Sequence, residues 1–575
     1  MRSSGNAENI WRAARRRLDG LPGGGINIAH EAADRHVRAG DGARVAVRYI
    51  EPRGRVSEWT YADLAERSAC TAAALANLGV VPGDRVAWLG GRRPELFAML
   101  LGCVRMRAVF CPLFTAFGPE PLAARLALAR PRVVVTTASL FGRRFTALDP
   151  ADYGIERILI LDDATVRDKG CASYPELLEQ VTAASPVPPT ADDDPALLHF
   201  TSGTTGTPKG VEHVHEAVVA QHHSASVALD LQPGDIFWCT ADPGWVTGIA
   251  YGVIAPLAVG ATVIVDGGEF DPVRWMDILE HQRVAVWYIA PTALRMLRRC
   301  GTPLWQGRDL SHLRVAASVG EPLDRACADW AEDALGRRIR DTWWQTETGS
   351  IMIASLPESQ CPPGAMGKAL PGVEAEVVAR DADGGLTRVT AAGEPGELAL
   401  RAQWPSMFRG YLNDPERYAA SFRNGCYLTG DMVKRDADGW LTFVGRGDDL
   451  IKTAGHLVGP AEVEAALRGH PAVVDVAVVG LPDPMTGERV HAYVVVDEGI
   501  RADTTLSRAL IAHARRRLGP AVAPRTVEFR ATLPYTRSGK IARRVLRAQS
   551  TGDDPGDLST LLDAQAGQPE TGEAS

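Results

Sequence analysis

The chain has 575 residues, 45% hydrophobic and 23% charged. It is too long for one hydrophobic core and ordinary in composition for a globular protein. A formal net charge of −8 and a pI near 6.0 exclude a general electrostatic attraction to nucleic acid or to an anionic membrane. The nine cysteines are scattered and form no Cys-x-x-Cys pair, which disfavours a zinc ribbon or a disulfide framework and suits a reducing, cytoplasmic compartment.

The N-terminus carries no apolar segment of signal-peptide type, and Arg12 and Arg15 to Arg17 read as a solvated helix face. Short β-rich runs follow at 45–50, 85–89, 132–136, 158–161, 262–265, 284–289 and 314–318, with helical patterns at 61–78 and 322–335. Strands alternating with helices predict an α/β architecture with largely parallel sheets. Residues 244–265 carry no charge, but Pro256 and three glycines interrupt them. They read as a buried helix running into a buried strand rather than a membrane span.

From about 372 the texture changes to strands separated by Asp/Gly turns, at 374–379, 397–400 and 441–444, which predicts a small antiparallel section. Residues 445–449, Gly-Arg-Gly-Asp-Asp, mark a boundary. Beyond it a helix (461–467), strands (473–479, 492–496), a helix (506–518) and a strand (526–529) predict a compact second domain over 448–547, after a first domain over 1–447. The segment 548–575, rich in Gly, Asp, Ser and Pro, is expected to be a disordered tail.

Residues 201–210 read Thr-Ser-Gly-Thr-Thr-Gly-Thr-Pro-Lys-Gly, directly after an apolar run. Glycines let backbone N–H groups close on phosphate oxygens, hydroxyls add donors, and Lys209 adds a positive charge, so the loop predicts a polyphosphate. It is not a Walker A loop, because the Gly-x-x-x-x-Gly-Lys-Ser/Thr spacing fails. A second signal is Asp341-Thr-Trp-Trp-Gln-Thr-Glu-Thr-Gly349. Its adjacent tryptophans either pack in the core or shape a site. Thr346 and Glu347 are candidates for a phosphate oxygen and Mg²⁺, an ion that binds through one or two carboxylates plus substrate phosphates.

Three further segments are ambiguous alone. Ser318-Val-Gly-Glu-Pro322 ends a strand where open α/β sheets bind ligands, and is equally an ordinary strand-to-helix turn. Asp431, in Tyr427-Leu-Thr-Gly-Asp, suits two ribose hydroxyls or a plain turn. Lys540, in Thr536-Arg-Ser-Gly-Lys, sits on a glycine turn or a solvated basic surface. His213-x-His215 has no third ligand nearby and is not read as a metal site.

In this order the segments resemble the AMP-forming adenylate-forming enzymes, which include acyl-CoA synthetases, peptide-synthetase adenylation domains and luciferases. Within that superfamily the chain looks most like the acetyl-CoA synthetases. The resemblance runs from Asn27-Ile-Ala to Gly556-Asp-Leu-Ser-Thr-Leu561. It implies a large N-terminal domain of stacked mixed and parallel sheets with helices, and a small mobile α+β C-terminal domain joined at a hinge that Asp448 matches. It also implies ATP, Mg²⁺ and coenzyme A. By the resemblance Thr201, Ser202, Gly203, Thr204, Thr205, Gly206 and Lys209 form the loop over the ATP phosphates. Gly320, Glu321 and Pro322 lie along the adenine, Asp431 holds the ribose and Arg446 reaches the nucleotide. Thr346 and Glu347 serve the α-phosphate and the metal. Lys540 drives adenylation, and a lysine acetyltransferase and deacetylase pair acting on it is a further expectation.

The resemblance places substrate size on Trp344, which closes a tunnel that a small residue leaves open in relatives acting on longer chains. Trp245, Val246, Thr247 and Val319 match the rest of that short pocket, so acetate is expected, with propionate next. The chain departs from the acetyl-CoA synthetases at Ala454-Gly-His-Leu457, where Leu457 replaces an arginine that contacts phosphate. Lys452 is a candidate substitute. Gly455, which lets the pantetheine pass, is retained. Arg143 and Arg144 are a loose match for a CoA 3′-phosphate contact. The expected function is an acetate–CoA ligase; the alternatives are an enzyme that loads a small acid onto a separate carrier protein, and a non-catalytic nucleotide sensor.

Overall fold

The computed structural model describes residues 4–561 except 146–147, 164, 167–169, 203–207, 324, 357–358, 382–384, 448, 454–455, 498, 521, 537–539, 556–557 and 559–560, and without the side chains of 4–6, 202, 302, 326 and 456–457. Among the described residues the strands form four sheets.

Two of these are large and mainly parallel. One runs, in spatial order, through Ile339–Trp343, Val315–Ser318, Val286–Ile289, Ile236–Cys239, Thr262–Asp266 and Val45–Ile50, and antiparallel strands extend both of its edges. The other is centred on Val109–Pro112, Arg85–Leu89, Val133–Thr136 and Arg157–Ile160. Val133–Thr136, reading Val-Val-Val-Thr, is buried at every position. That is what a parallel strand covered on both faces requires, and β-branched side chains suit it. The helix Tyr61–Asn77 starts where Thr60 accepts from the Asp63 amide and Asp63 accepts in return, a capping box.

The uncharged stretch at 244–265 does not span anything. It breaks into Val246–Ile249, a wide turn at Ala250–Ile254 and Ala255–Val259, then reverses at Gly260 (φ +96°) into the buried strand Thr262–Asp266. No helix among the described residues is long and apolar enough to cross a membrane.

The third sheet is antiparallel and includes Ala375–Arg380, Pro395–Arg401, Cys426–Arg435 and Leu441–Arg446. The fourth holds Ile451–Thr453, Gly487–Val496, Val473–Asp483 and Thr526–Phe529, flanked by the helices Pro460–Arg468, Thr504–Leu518 and Arg543–Thr551. Its core ties are specific. Glu464 is buried, accepts from the Val478 amide (3.0 Å) and takes a bidentate pair from Arg543 (2.7 and 2.9 Å).

The tail expected to be disordered from 548 is corrected over its first part. The helix Arg543–Thr551 runs through that position and ends on Gly552 in the left-handed region. Leu561, 1% exposed, then packs on Ala542 and Val545 and pairs with Thr536. Composition hid this because one leucine among polar residues supplies the anchor. The helix expected at 322–335 begins later, at Arg325.

Candidate active site

The strands Pro195–Ser202 and Pro208–Val214 pair antiparallel, with Thr201 opposite Lys209. The Lys209 ammonium stands 5.6 Å from the centre of the Tyr411 ring. Tyr411 donates to Glu347 Oε1 (2.8 Å). Lys209, Tyr411 and Glu347 therefore share one side of a cavity of about 240 Å³, whose other walls include Gln345, Tyr427 and Arg446. Gly203, Thr204, Thr205 and Gly206, and the side chain of Ser202, lie outside the described residues.

Asp431 is a buried hub joined to two of the cavity's lining residues, Gln345 and Arg446. It faces Arg446 across the ladder of the antiparallel sheet. Its Oδ1 accepts from Arg446 Nη1 (2.8 Å), and its Oδ2 from Trp343 Nε1 (2.9 Å) and Gln345 Nε2 (3.0 Å). Burial raises this carboxyl above the ordinary aspartate range, against the pull of Arg446, the Trp343 indole and the charge of Lys540. Three of roughly four acceptor directions on the carboxylate are thus taken by the protein. Lys540 itself is exposed, on a loop closed by Thr536, whose hydroxyl both accepts from the Lys540 amide and donates to its carbonyl. Its charge acts on Asp431.

Trp343 resolves the ambiguity of the paired tryptophans by doing both things. It is 8% exposed within the main core, and its indole N–H reaches Asp431. Thr346 offers its carbonyl to His213 Nε2 (2.8 Å), while His215 Nδ1 accepts from the Ile28 amide (3.1 Å). Burial pushes the two imidazoles down to about 4 and about 3, so both are neutral structural groups. No group of three His, Cys, Asp or Glu among the described residues is placed to hold a metal. Glu347 still fits Mg²⁺, a hard ion that one carboxylate and nucleotide phosphates hold together.

At the strand end, Gly320 has φ +90°, a conformation that favours glycine although nothing lies within 4 Å of where a Cβ would be. Glu321 does not present its carboxylate to a ligand. It accepts from Thr292 Oγ1 (2.6 Å) and Arg295 Nη1 (2.8 Å) of the helix Pro291–Arg299, which ties the loop to that helix. Pro322 is exposed. Below the loop, Ser318 and the Thr342 amide donate to Asp341, yet burial pushes that carboxyl up to about 7.

The expected acyl pocket divides between two apolar clusters. Trp344 and Val319 pack with Tyr251 and Tyr288. The Trp344 indole donates to the Tyr288 hydroxyl (3.1 Å) and meets the Tyr251 ring edge-on at 5.1 Å. Trp245 packs instead on Phe114, at 5.2 Å between ring centres, and on Phe117. Val246 and Thr247 open the short helix Val246–Ile249, partly exposed. Tyr251, Tyr288, Gln345 and Tyr411 were not expected at the site. Only Gln345 had a signal, its place between Trp344 and Thr346.

The positions expected to serve coenzyme A are less informative. Asp448 and Gly455 lie outside the described residues, as does the side chain of Leu457. Lys452 is exposed on a strand whose amide donates to Glu488. Arg143 and Arg144 lie on the helix Ala138–Arg144 and donate to the carbonyls of Ser139 and Thr115.

Residues 34–412 match the model of the AMP-binding enzyme family, and residues 462–540 that of the AMP-binding enzyme C-terminal domain. The chain belongs to the AMP-binding enzymes. It is 39% identical over 555 residues to an acetyl-coenzyme A synthetase of Bacillus subtilis (strain 168), covering 96% of each chain. It is 36% identical to one of Methanothrix thermoacetophila, covering 95% of this chain and 86% of that one. Among solved structures, this AMP-binding enzyme resembles a Brucella canis acyl-CoA synthetase at 34% identity, with a TM-score of 0.72 and coverage of 94% and 97%. It also resembles an anthranilate CoA ligase in complex with anthranoyl-AMP at 26% identity, with a TM-score of 0.82 and coverage of 93% and 98%.

Proposed function

We propose that this AMP-binding enzyme is an acetate–CoA ligase of the AMP-forming type. The observation that carries the acid's size is Trp344, held by Tyr288 and Tyr251 as a wall across the apolar cluster beside the nucleotide loop. The acetyl-coenzyme A synthetases among its relatives support the same reading. Propionate is the next substrate, since one methylene alters binding by only ~1–3 kcal/mol.

In the first step an acetate oxygen attacks the α-phosphorus of ATP, and the bond to pyrophosphate breaks. Both reactants are anionic, and one like-charge pair at ~4 Å is opposed by about 4 kcal/mol at an effective dielectric of about 20. Lys540, whose charge acts on Asp431, and Lys209, beside Tyr411 in the cavity, supply the opposing charge. No general base is needed, because a carboxylate already carries its nucleophilic pair. Thr201, Ser202 and the glycines and threonines of 203–206 close over the phosphates. Asp431 and Arg446 take the ribose, the 320–322 backbone the adenine, and Thr346 an α-phosphate oxygen. Glu347, together with the phosphates, would hold Mg²⁺, and the ion would supply charge neutralisation there. In the second step the sulfur of coenzyme A attacks the acyl carbon and AMP leaves, with the small domain rotated about Asp448 and the thiol arm passing Gly455.

One departure favours a second reading. Leu457 cannot make a phosphate contact, so transfer to a separate carrier protein is the alternative fate of the adenylate. AMP and acetyl-CoA are measured together with acetate, ATP, Mg²⁺ and CoA. Both products support the ligase, AMP without thioester the carrier, and neither product a sensor. The reading includes a cytoplasmic enzyme whose exposed Lys540 is open to reversible acetylation, which blocks the first step.

A further inference from the structure

The helix Pro291–Arg299 touches both halves of the site along one face. Thr292, Arg295 and Arg299 stand at positions i, i+3 and i+7, so they share a side of the helix. At one end, Thr292 and Arg295 hold the two oxygens of Glu321 at 2.6 and 2.8 Å, and Arg295 also donates to the Pro322 carbonyl (3.3 Å). At the other end, Arg299 Nη2 donates to the carbonyl of Val474 (3.1 Å), at the start of the long strand Val473–Asp483 of the fourth sheet. The next residue, Asp475, accepts from the Tyr535 hydroxyl, and Tyr535 bridges to Ile541 across the base of the loop that carries Lys540. The helix thereby links the nucleotide-side loop 320–322 to the Lys540 loop.

We propose that this helix is a brace for the adenylation step, with Arg299 a positioning residue that docks the small sheet so that Lys540 faces Asp431. The assignment of a step rests on the function proposed above; the docking role does not. The contact is a single charged donor on a backbone carbonyl at an exposed edge. Such a bond is strong enough to bias a docked arrangement and weak enough to release when the small domain turns. Arg295 sets the other end: with Glu321 neutralising it, the helix approaches the loop without leaving a bare charge beside the nucleotide.

The test uses the full-length enzyme as wild type, Arg299→Ala and Arg299→Lys. Acetate-dependent ATP–pyrophosphate exchange reads the first step, and thioester formation from supplied acetyl-adenylate reads the second. Loss of the bond is expected to slow exchange about tenfold in Arg299→Ala, leave the second step unchanged, and be largely restored by Arg299→Lys, which keeps a donor. An equal fall in both steps, or no change in either, overturns the brace. Hydrogen exchange of 473–481 and 533–541 gives a readout independent of any reaction. Faster exchange in Arg299→Ala than in wild type supports docking through Arg299, and unchanged exchange rules it out even if the wild type makes no acetyl-adenylate.

Discussion

Asp431 and Arg446 are direct partners across two antiparallel strands, and their side chains meet at 2.8 Å. The pair is buried on the aspartate side and open on the arginine side, so Arg446 is the member able to turn toward an incoming nucleotide. Replacing Asp431 by Ala removes a carboxylate partner of Arg446 and the acceptor of the Trp343 and Gln345 donors. Asp431→Ala is expected to raise the KM for ATP at least tenfold and to lower stability by about 1–3 kcal/mol, the cost of leaving the buried Trp343 donor unsatisfied. Initial rates against ATP and a urea melt check the two effects.

Trp344→Gly removes the wall that Tyr288 and Tyr251 support. Preference is expected to move from acetate to acids of four to six carbons, at about tenfold or more per carbon accommodated. Thioester or AMP formation across the acid series checks it. If the variant still prefers acetate, the wall lies elsewhere.

Lys540→Ala is expected to lower pyrophosphate exchange by about 10²–10³, the usual effect of deleting one electrostatic stabiliser, and to spare thioester formation from supplied adenylate. Equal loss in both steps contradicts the assignment.

Tyr411→Phe removes the hydroxyl that fixes Glu347 Oε1. The Mg²⁺ concentration for half-maximal adenylation is expected to rise several-fold, and chelation of the metal to abolish the step in wild type. A Mg²⁺ titration of both proteins decides this.

The site of Asp341 gives a pH signature. Burial raises its carboxyl from the ordinary aspartate range to about 7, so the folded state binds the proton more tightly than the unfolded one. That contribution to stability is complete below about pH 4 and is lost as pH rises through 7. Asp341→Asn keeps an acceptor for Ser318 without the charge. It is expected to be more stable than wild type at pH 8, by about 1–3 kcal/mol because the residue is only partly buried, with the gap closing towards pH 5. His213 and His215 oppose this from the acid side: their folded values lie below 6.5, so they cost stability as pH falls from 6.5 towards 4 in both proteins alike.

Much of the fold was legible because its signals are local. The strand 45–50 and the strand 85–89 appear at their predicted bounds, since short, mainly apolar runs bounded by turn residues have few alternatives. The composition of 201–210 marks the segment as a candidate phosphate loop, and the structure pairs Thr201 with Lys209 across its two strands. What escaped was long-range. Tyr411 reaches Glu347 across 64 positions, and Tyr288 reaches Trp344 across 56, with no local pattern to mark either tyrosine. Nor does the sequence reveal that Arg295 stands opposite Glu321 and takes its carboxylate. The tail was misread because a single buried Leu561 outweighs its polar neighbours.

That leucine has a consequence for the order in which the enzyme is completed. Thr536, which clamps the Lys540 loop from one side, is paired on its other side with residue 561. Synthesis runs from the N-terminus, so the large sheets exist in full well before this partner leaves the ribosome. The loop bearing Lys540 is therefore among the last parts of the molecule to be secured, and a chain released before residue 561 is made keeps its large sheets while its lysine loop loses that strap.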